Sequence, residues 1–211
     1  KGLGELAEGV SIEDGQLMRR MIARRCIYGV DLNSIAVQLS RLSVWIHTFV
    51  PGLPLSLLDR NLIQGNSLVG VGSVEEIRNK LDEGSGTLFE VDADHLLGHA
   101  TQPLRKLAKL SDATLKDINY ARDLMEEAQL KTIETKALCD LIVAQPISSD
   151  HRLKGFAFED WERRRKDICD SSELKLAQEI LEPLAVIHFP IAFPEVFLGS
   201  THGFNVILGN P

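Results

Sequence analysis

The chain has 211 residues, of which 44 % are hydrophobic and 25 % are charged, and its formal net charge is −7. This composition indicates a globular, soluble protein, and no apolar run approaches the ~18 residues that would suggest a membrane span. The three cysteines are widely spaced and form no C-x-x-C pair. The sequence therefore predicts neither a zinc site nor a disulfide framework, and a cytoplasmic location is expected.

The acidic charge is concentrated in one part of the chain. Residues 72–190 contain 23 acidic and 16 basic side chains, whereas the remainder is neutral. Affinity for DNA depends on lysine and arginine side chains that neutralise phosphates. We therefore expect this chain alone to bind DNA poorly.

The first clear pattern is a strand followed by a helix. Residues 26–30 form a short apolar run that ends in Asp31, which predicts a buried strand with an acid at its carboxyl end. An amphipathic helix is predicted next, capped by Asn33 or Ser34, because apolar residues recur at helical spacing. These residues are Ile35, Leu39, Leu42 and Ile46. In Rossmann-type sheets such an acid binds a ribose, although an acid after a strand is more often a helix cap or turn former.

Residues 61–68 predict a second short strand, which ends in Gly65-Asn66-Ser67. The intervening Pro51 and Pro54 end the preceding helix, since proline cannot continue one. In a nucleotide-binding sheet the carboxyl ends of the two strands would lie side by side, and Asn66 could contact an adenine amino group through its side-chain oxygen. A plain β-turn is the alternative, because Gly-Asn-Ser favours one.

Helices are predicted throughout residues 73–190. Ser73 and Glu76 have the spacing of a capping box, which would begin a short helix. One long helix, or two abutting ones, is predicted over residues 114–144, and another over residues 173–181. The side chains predicted to share their apolar faces are Leu130, Ile133, Ala137, Leu141 and Ala144 in the first, and Leu174, Ala177 and Leu181 in the second.

The six histidines show no metal-ligand spacing such as H-E-x-x-H, so no metal site is predicted. His47 and His188 lie in apolar stretches. We expect each of them to be a hydrogen-bonded core residue rather than a catalyst.

The last predicted element is an apolar strand over residues 204–208, which runs into Gly209-Asn210-Pro211. Asn-Pro by itself commonly marks a turn. Its meaning depends on the segments before it.

Taken in order, these segments resemble the N6-adenine DNA methyltransferase domain of type IIG restriction–modification enzymes and related phage-defence methyltransferases. That family typically reads GVDLNPxAVELAKLSLWL, then GDSL(I/V)G or GNSL(I/V)G, then FPEVF…GFDVVLGNPP. The matching segments here are RRCIYGVDLN at 24–33, AVQLSRLSVW at 36–45, IQGNSLVG at 63–70, FPEVF at 193–197 and GFNVILGNP at 203–211. Ser34 stands where the family usually has proline.

The resemblance implies a cofactor, S-adenosyl-L-methionine, and the residues that bind it. Asp31 would accept hydrogen bonds from the ribose hydroxyls, and Leu32 would pack against the adenine ring. Asn66, where many relatives carry aspartate, would accept from the adenine amine, with Ser67 beside it. The glycine-rich loop of the family, Asp-Pro-x-x-Gly-x-Gly, is not found in the chain.

The resemblance also implies the catalytic residues. Asn210 and the carbonyl of Pro211 would accept hydrogen bonds from the amino group of an adenine flipped out of double-stranded DNA. No metal is required for this chemistry. Because the aromatic residue of the family's Asn-Pro-Pro-Tyr motif would follow Pro211, we expect the chain to be a piece of a longer protein, cut within its catalytic loop.

The implied fold is α/β, a partial Rossmann-like class I methyltransferase fold interrupted by a large helical insertion. Residues 1–72 would be a partial cofactor-binding segment, residues 73–190 the insertion, and residues 191–211 a return strand and the start of the catalytic loop. In this fold a central strand lies between the strands that end at Asp31 and Asn210. Without it, we expect the isolated chain to be mainly helical and inactive, and to self-associate through exposed strand edges.

Two other functions remain open at this point. Release-factor methyltransferases share an Asn-Pro-Pro-Tyr loop and methylate a glutamine amide of a protein, but they are compact and need no helical insertion. The second alternative is a non-catalytic interaction module that has kept a methyltransferase scaffold and uses its acidic helical insertion to bind another subunit.

Overall fold

The computed structural model describes residues 14–51, 60–85, 102–103, 106, 110, 115–158, 161–197 and 203–209. In chain order its elements are α1 (Asp14–Cys26), β1 (Gly29–Asp31), α2 (Ser34–His47), β2 (Leu62–Gln64), α3 (Val74–Ser85), α4 (Leu115–Ile147), α5 (His151–Lys154), α6 (Trp161–Cys169), α7 (Ser172–Leu181), a 3₁₀ turn (Glu182–Leu184), α8 (Phe189–Ala192) and α9 (Pro194–Phe197). The expected mainly helical chain with a small sheet is confirmed. Within the described ranges the sheet has two strands, and no wider Rossmann-like sheet is formed. No helix in those ranges is long and apolar enough to cross a membrane.

The two strands pair in parallel, and α2 connects them. Gly29 lies opposite Leu62, and Asp31 lies opposite Gln64. The predicted start of the first strand at residue 26 is wrong, because α1 continues to Cys26 and β1 begins at Gly29. The cause is distant in sequence: the buried Asn61 side chain donates hydrogen bonds of 2.8 and 3.0 Å to the carbonyls of Arg24 and Ile27, which fixes the end of α1.

Asn33 caps α2 as predicted, but the side of the helix that is buried is not the predicted apolar stripe. The Asn33 side-chain oxygen accepts hydrogen bonds from the backbone N–H groups of the first turn, at 2.8 and 3.3 Å. The helix buries Val37, and Arg41 donates to the carbonyl of Leu62 on β2. The predicted apolar stripe therefore points away from the sheet and is 48–67 % exposed; it consists of Ile35, Leu39, Leu42 and Ile46.

The capping box of α3 is confirmed with a small change in its partner. The backbone N–H of Glu76 donates to the Ser73 hydroxyl at 3.3 Å. The Glu76 carboxylate accepts from the backbone N–H of Gly72, at 2.7 Å, rather than from that of Ser73. The first bond satisfies a donor that the first turn of a helix leaves open, and the second ties the residue before the cap to that turn.

The predicted long helix is one helix, α4, of 33 residues. Five consecutive side chains, from residue 137 to residue 141, are buried, so this part of α4 lies inside the core on all sides. Nearer the amino end the buried side passes through Leu124, Ala128, Thr132 and Thr135. Steps of three and four residues keep these on one face, which leaves Leu130 and Ile133 exposed on the other. The predicted apolar face is therefore buried at Ala137, Leu141 and Ala144 but exposed at its amino end.

The core forms where α6 and α7 pack on α4. Trp161 and Ile168 come from α6, and both are about 1 % exposed. The predicted face of α7 is confirmed, because Leu174, Ala177 and Leu181 are all buried. The Ser171 hydroxyl caps this helix by accepting from the backbone N–H of Leu174 at 3.1 Å.

The predicted return strand over residues 204–208 is not formed. Phe204 packs its ring 5.7 Å from that of Phe193 and 5.4 Å from that of Tyr28. The residues after it are exposed, and Leu208 is 93 % exposed. A strand needs a neighbouring strand to bond its backbone groups, and the described part of the sheet places none beside this segment.

Candidate functional site

The carboxyl ends of β1 and β2 meet at one edge of the sheet. Asp31 ends β1 opposite Gln64 of β2, and the backbone N–H of Gly65 donates to the Asp31 carbonyl at 2.9 Å. Asn66 follows immediately. The structure thus brings the two predicted segments, with Asp31 and Leu32 on one and Asn66 and Ser67 on the other, to the same edge. This edge is where open parallel α/β sheets bind ligands.

Asp31 has one carboxylate oxygen in local use. Its Oδ1 accepts a hydrogen bond from the backbone N–H of Asn33 at 2.7 Å, which fixes the turn into α2. No described residue donates to its other oxygen, and the side chain is exposed. The next side chain, Leu32, is 60 % exposed. The edge therefore offers one carboxylate oxygen as an acceptor, with an apolar surface beside it.

Asn66 forms a turn and still keeps an acceptor. Its Oδ1 accepts from the backbone N–H of Leu68 at 2.9 Å, and its own N–H donates to the Ala185 carbonyl at 2.7 Å. An amide oxygen has two lone pairs, so it can take a second donor. Ser67, at the tip of this turn, is exposed. The turn and the ligand contact, stated above as alternatives, are compatible.

Two positioning side chains were not found from the sequence. The Gln64 side chain donates to the Leu32 carbonyl at 3.3 Å, which ties the turn after β1 to the end of β2. The Arg41 guanidinium donates to the Leu62 carbonyl at 2.9 and 2.6 Å, which ties α2 to β2. The only sequence signal for Gln64 is its place at a strand end, immediately before Gly65.

The loop after β2, residues 65–72, lies against residues 185–189. The backbone N–H groups of Ile187 and Phe189 donate to the carbonyls of Val69 and Val71, at 3.0 and 2.9 Å. This approach requires glycine. Gly70 has a φ of 141°, and a Cβ there would overlap the carbonyl oxygen of Ile187. The glycines of the Gly-Asn-Ser-Leu-Val-Gly segment therefore have a packing role.

A buried polar chain lies behind this loop. The imidazole of His188 bonds the Asp140 carboxylate at 2.9 Å and accepts from the backbone N–H of Val71 at 3.2 Å. The second carboxylate oxygen of Asp140 accepts from Lys136 at 2.7 Å. Burial alone would raise the pKa of Asp140, but the hydrogen bonds from His188 and Lys136 outweigh it and lower that pKa. His188 is the hydrogen-bonded core residue that we predicted, whereas the same prediction for the exposed His47 is wrong.

The Phe-Pro-Glu-Val-Phe segment packs beside the start of β1. The Tyr28 hydroxyl donates to the Glu195 carboxylate at 3.1 Å, and Arg60 forms an ion pair with the same carboxylate. Burial, together with the nearby Glu195, raises the pKa of Tyr28 far above its ordinary value, so the phenol keeps its proton. The rings of Tyr28 and Phe193 meet edge to face at 5.2 Å.

The predicted catalytic residues, Asn210 and Pro211, lie outside the described residues. Within the described ranges, no group of three or more His, Cys, Asp or Glu side chains could hold a metal ion.

A family model that matches residues 25–211 assigns the chain to the DNA methyltransferases of restriction–modification systems. The family is described as Eco57I restriction-modification methylase, and the chain belongs to it. The resemblance drawn from the motifs is thereby confirmed at the level of the family. Comparison with curated proteins and with solved structures gives no significant match.

Proposed function

We propose that this chain is part of a DNA methyltransferase that transfers a methyl group from S-adenosyl-L-methionine to N6 of adenine. The observation that carries the proposal is the shared edge of β1 and β2, where Asp31 and Asn66 follow neighbouring parallel strands. We also propose that residues 1–72 and 191–211 belong to a Rossmann-like methyltransferase fold, and that residues 73–190 are an insertion in it.

The residues at this edge fit the cofactor's nucleoside. The free carboxylate oxygen of Asp31 can accept from ribose hydroxyls, and the exposed Leu32 supplies an apolar surface for the adenine ring. The second lone pair of the Asn66 oxygen can accept from the adenine amine. When bound, the cofactor supplies an electrophilic methyl group on a sulfonium sulfur.

Asn210 and Pro211 are proposed to bind the amino group of the target base. An exocyclic amine is a weak nucleophile because its lone pair is delocalised into the ring. Two acceptors, the Asn210 side-chain oxygen and the Pro211 carbonyl, would favour a more tetrahedral nitrogen with its lone pair available. The base must leave the duplex to reach such acceptors. Because residues 72–190 carry an acidic excess, we propose that most contacts to DNA phosphates lie outside this chain.

The reaction is tested on the full-length gene product with duplex DNA and tritium-labelled S-adenosyl-L-methionine. The DNA is then digested to nucleosides, and the labelled nucleoside is identified. We expect the label in N6-methyl-2′-deoxyadenosine. Label in N4-methyl-2′-deoxycytidine would overturn the adenine assignment, and label recovered in protein rather than in DNA would favour the alternative methyltransferase. Cofactor binding without transfer to any acceptor would favour the interaction module.

The cofactor site is tested with Asp31→Asn. The amide oxygen of asparagine can still accept from the Asn33 N–H and so keep the turn, but the charge and one acceptor are lost. We expect the dissociation constant for S-adenosyl-L-methionine, measured by calorimetric titration, to rise by about tenfold or more, the range for losing a hydrogen bond to a charged group. Asp170→Asn makes the same chemical change at an exposed position after α6 and is the matched control. Equal affinities for the cofactor in Asp31→Asn and in the control would show that Asp31 does not bind it.

A further inference from the structure

The buried pair of Asp140 and His188, with the exposed Lys136 bonded to Asp140, joins two regions that are far apart in sequence. Asp140 lies on α4, and His188 lies 48 residues later, between the 3₁₀ turn and α8. Both residues are buried, at 3 % and 6 % exposure. The third member of the contact is the backbone of Val71, which is buried in the loop after β2.

The chemistry fixes the direction of each hydrogen bond in this chain. A backbone N–H can only donate, so Nδ1 of His188 must accept from Val71 through its lone pair. Nε2 therefore carries the imidazole proton and donates it to Oδ1 of Asp140. Oδ2 of Asp140 accepts from the Lys136 ammonium. Each buried group thus has a partner of the right kind, and one orientation of the imidazole satisfies all of them.

The loop held by this chain is the loop that carries Asn66. Residues 66, 69 and 71 bond the backbone of residues 185, 187 and 189, and His188 Nδ1 supplies the acceptor for the Val71 N–H. A cleft of about 300 Å³ borders both Gln64, at the end of β2, and the pair Lys136 and Asp140 on α4. The long helix and the end of the strand on which the proposed cofactor site is built therefore line the same cleft.

We infer that Asp140 and His188 are positioning residues that connect α4 to the loop at residues 65–72 and so hold Asn66 in place for the cofactor. The role in cofactor binding rests on the proposed function. In this arrangement the helical region is not a passive insertion, because a displacement of α4 along its axis would move the acceptor of His188 and, through Val71, the turn at Asn66.

The inference is tested in the full-length gene product with Asp140→Ala and the conservative Asp140→Asn. Alanine removes the acceptor for His188, whereas asparagine keeps an oxygen that can accept the Nε2 proton. Leu124→Ala is the matched control: it removes a buried side chain from the same helix, in a separate apolar cluster with Ala121 and Ala128. Two measurements are made on each variant, the kinetic constants for S-adenosyl-L-methionine and the hydrogen exchange of the backbone amides of residues 66–71.

For Asp140→Ala we expect KM for the cofactor to rise about tenfold while kcat at saturating cofactor stays within about twofold, because the affected loop binds cofactor and does not touch the reacting amine. Asp140→Asn should recover most of this loss. The amides of Asn66 and Val71, which donate to the Ala185 carbonyl and to His188, should exchange faster in Asp140→Ala than in the wild type. Leu124→Ala should leave KM and the exchange of these amides unchanged.

Two results would overturn the inference. The first is an Asp140→Ala protein with wild-type KM and wild-type exchange in the loop. The second is a Leu124→Ala protein with the same rise in KM, since general destabilisation would then explain both. A wild-type protein with no methyl transfer would instead refute the proposed function, and hydrogen exchange alone would still decide whether Asp140 holds the loop.

Discussion

The helices α2 and α7 have the same kind of apolar repeat and opposite surroundings. On α7, the side chains of Leu174, Ala177 and Leu181 are between 0 and 5 % exposed. On α2, the four side chains of the equivalent stripe are between 48 and 67 % exposed. Helical spacing of apolar residues therefore predicts the helix and its apolar face correctly in both places. It does not predict what covers that face.

The difference follows from what each helix contacts. α7 packs its stripe on α4, whose own side chains are buried on all sides at the point of contact. α2 contacts the two-stranded sheet with its other side, through Val37 and Arg41. The helical region, which contains α4 and α7, thus encloses a core of apolar side chains. In the strand–helix–strand region, which consists of β1, α2 and β2, α2 is covered only on the side that faces the sheet. The loop at residues 65–72 joins the two regions. Substitutions in this loop are therefore expected to have the largest effects on stability.

The largest effect is expected for Gly70→Ala. The methyl group would overlap the Ile187 carbonyl, and the φ of 141° is unfavourable for any other L residue. We expect a loss of about 3–5 kcal/mol in the free energy of unfolding, measured by urea denaturation, because the two regions can no longer approach. Gly15→Ala, on α1 where nothing lies within 4 Å of the new methyl group, should cost no stability and should stabilise the protein by up to about 1 kcal/mol, because alanine is the better helix former. If Gly70→Ala were equally mild, the loop would not join the regions as described.

Features that depend on nearby residues could be predicted from the sequence. The Asn33 cap and the Ser73 and Glu76 capping box involve partners within one helical turn, and the apolar face of α7 follows from the spacing of its own side chains. The shared edge of Asp31 and Asn66 was also predictable, because strands joined by a helix pair in parallel and end on the same side.

Features that depend on distant partners could not be predicted. Asn61 fixes the end of α1 from more than 30 residues away, and His188 meets Asp140 across 48 residues. The exposure of the α2 stripe and of residues 205–208 has the same origin, because burial depends on neighbours that a local pattern does not identify. At the candidate site this limit applies to Gln64 and Arg41, whose roles come from the backbone carbonyls they meet.

A smaller, pH-dependent effect is expected for Asp140→Asn, at the junction of the two regions. The pKa of Asp140 is lowered because hydrogen bonds from His188 and Lys136 outweigh its burial. A lowered pKa in the folded state means that the ionised carboxylate stabilises the fold above the ordinary value of about 4, and that this contribution is lost as pH falls through the folded-state value. The difference in unfolding free energy between wild type and Asp140→Asn should be about 1–3 kcal/mol near neutral pH.

Urea denaturation over a series of pH values checks the sign. The difference should shrink as pH falls below about 4. Asp123→Asn, at an exposed position on the same helix, should show no such trend. A difference that grew on acidification would mean that the Asp140 carboxyl donates rather than accepts in the buried chain, contrary to the bonds described.

The smallest effect is expected for Leu39→Ala on α2, and it bears directly on the contrast with α7. Leu39 is 57 % exposed, so truncating it removes little buried surface and should change the free energy of unfolding by less than about 0.5 kcal/mol. Leu174→Ala, the same change on the buried stripe of α7, should cost about 2–4 kcal/mol. Both are measured by urea denaturation under identical conditions.

A loss of about 2 kcal/mol or more for Leu39→Ala would break the contrast, since only a covered side chain costs that much. Repeating the measurement at several protein concentrations would then show whether a second copy of the chain covers this side chain. Stabilisation that comes from association grows with concentration by mass action, whereas stabilisation within one chain does not. A loss that increases with concentration would place the α2 stripe in a self-association interface, and would extend to this helix the association that we expected of the strand edges.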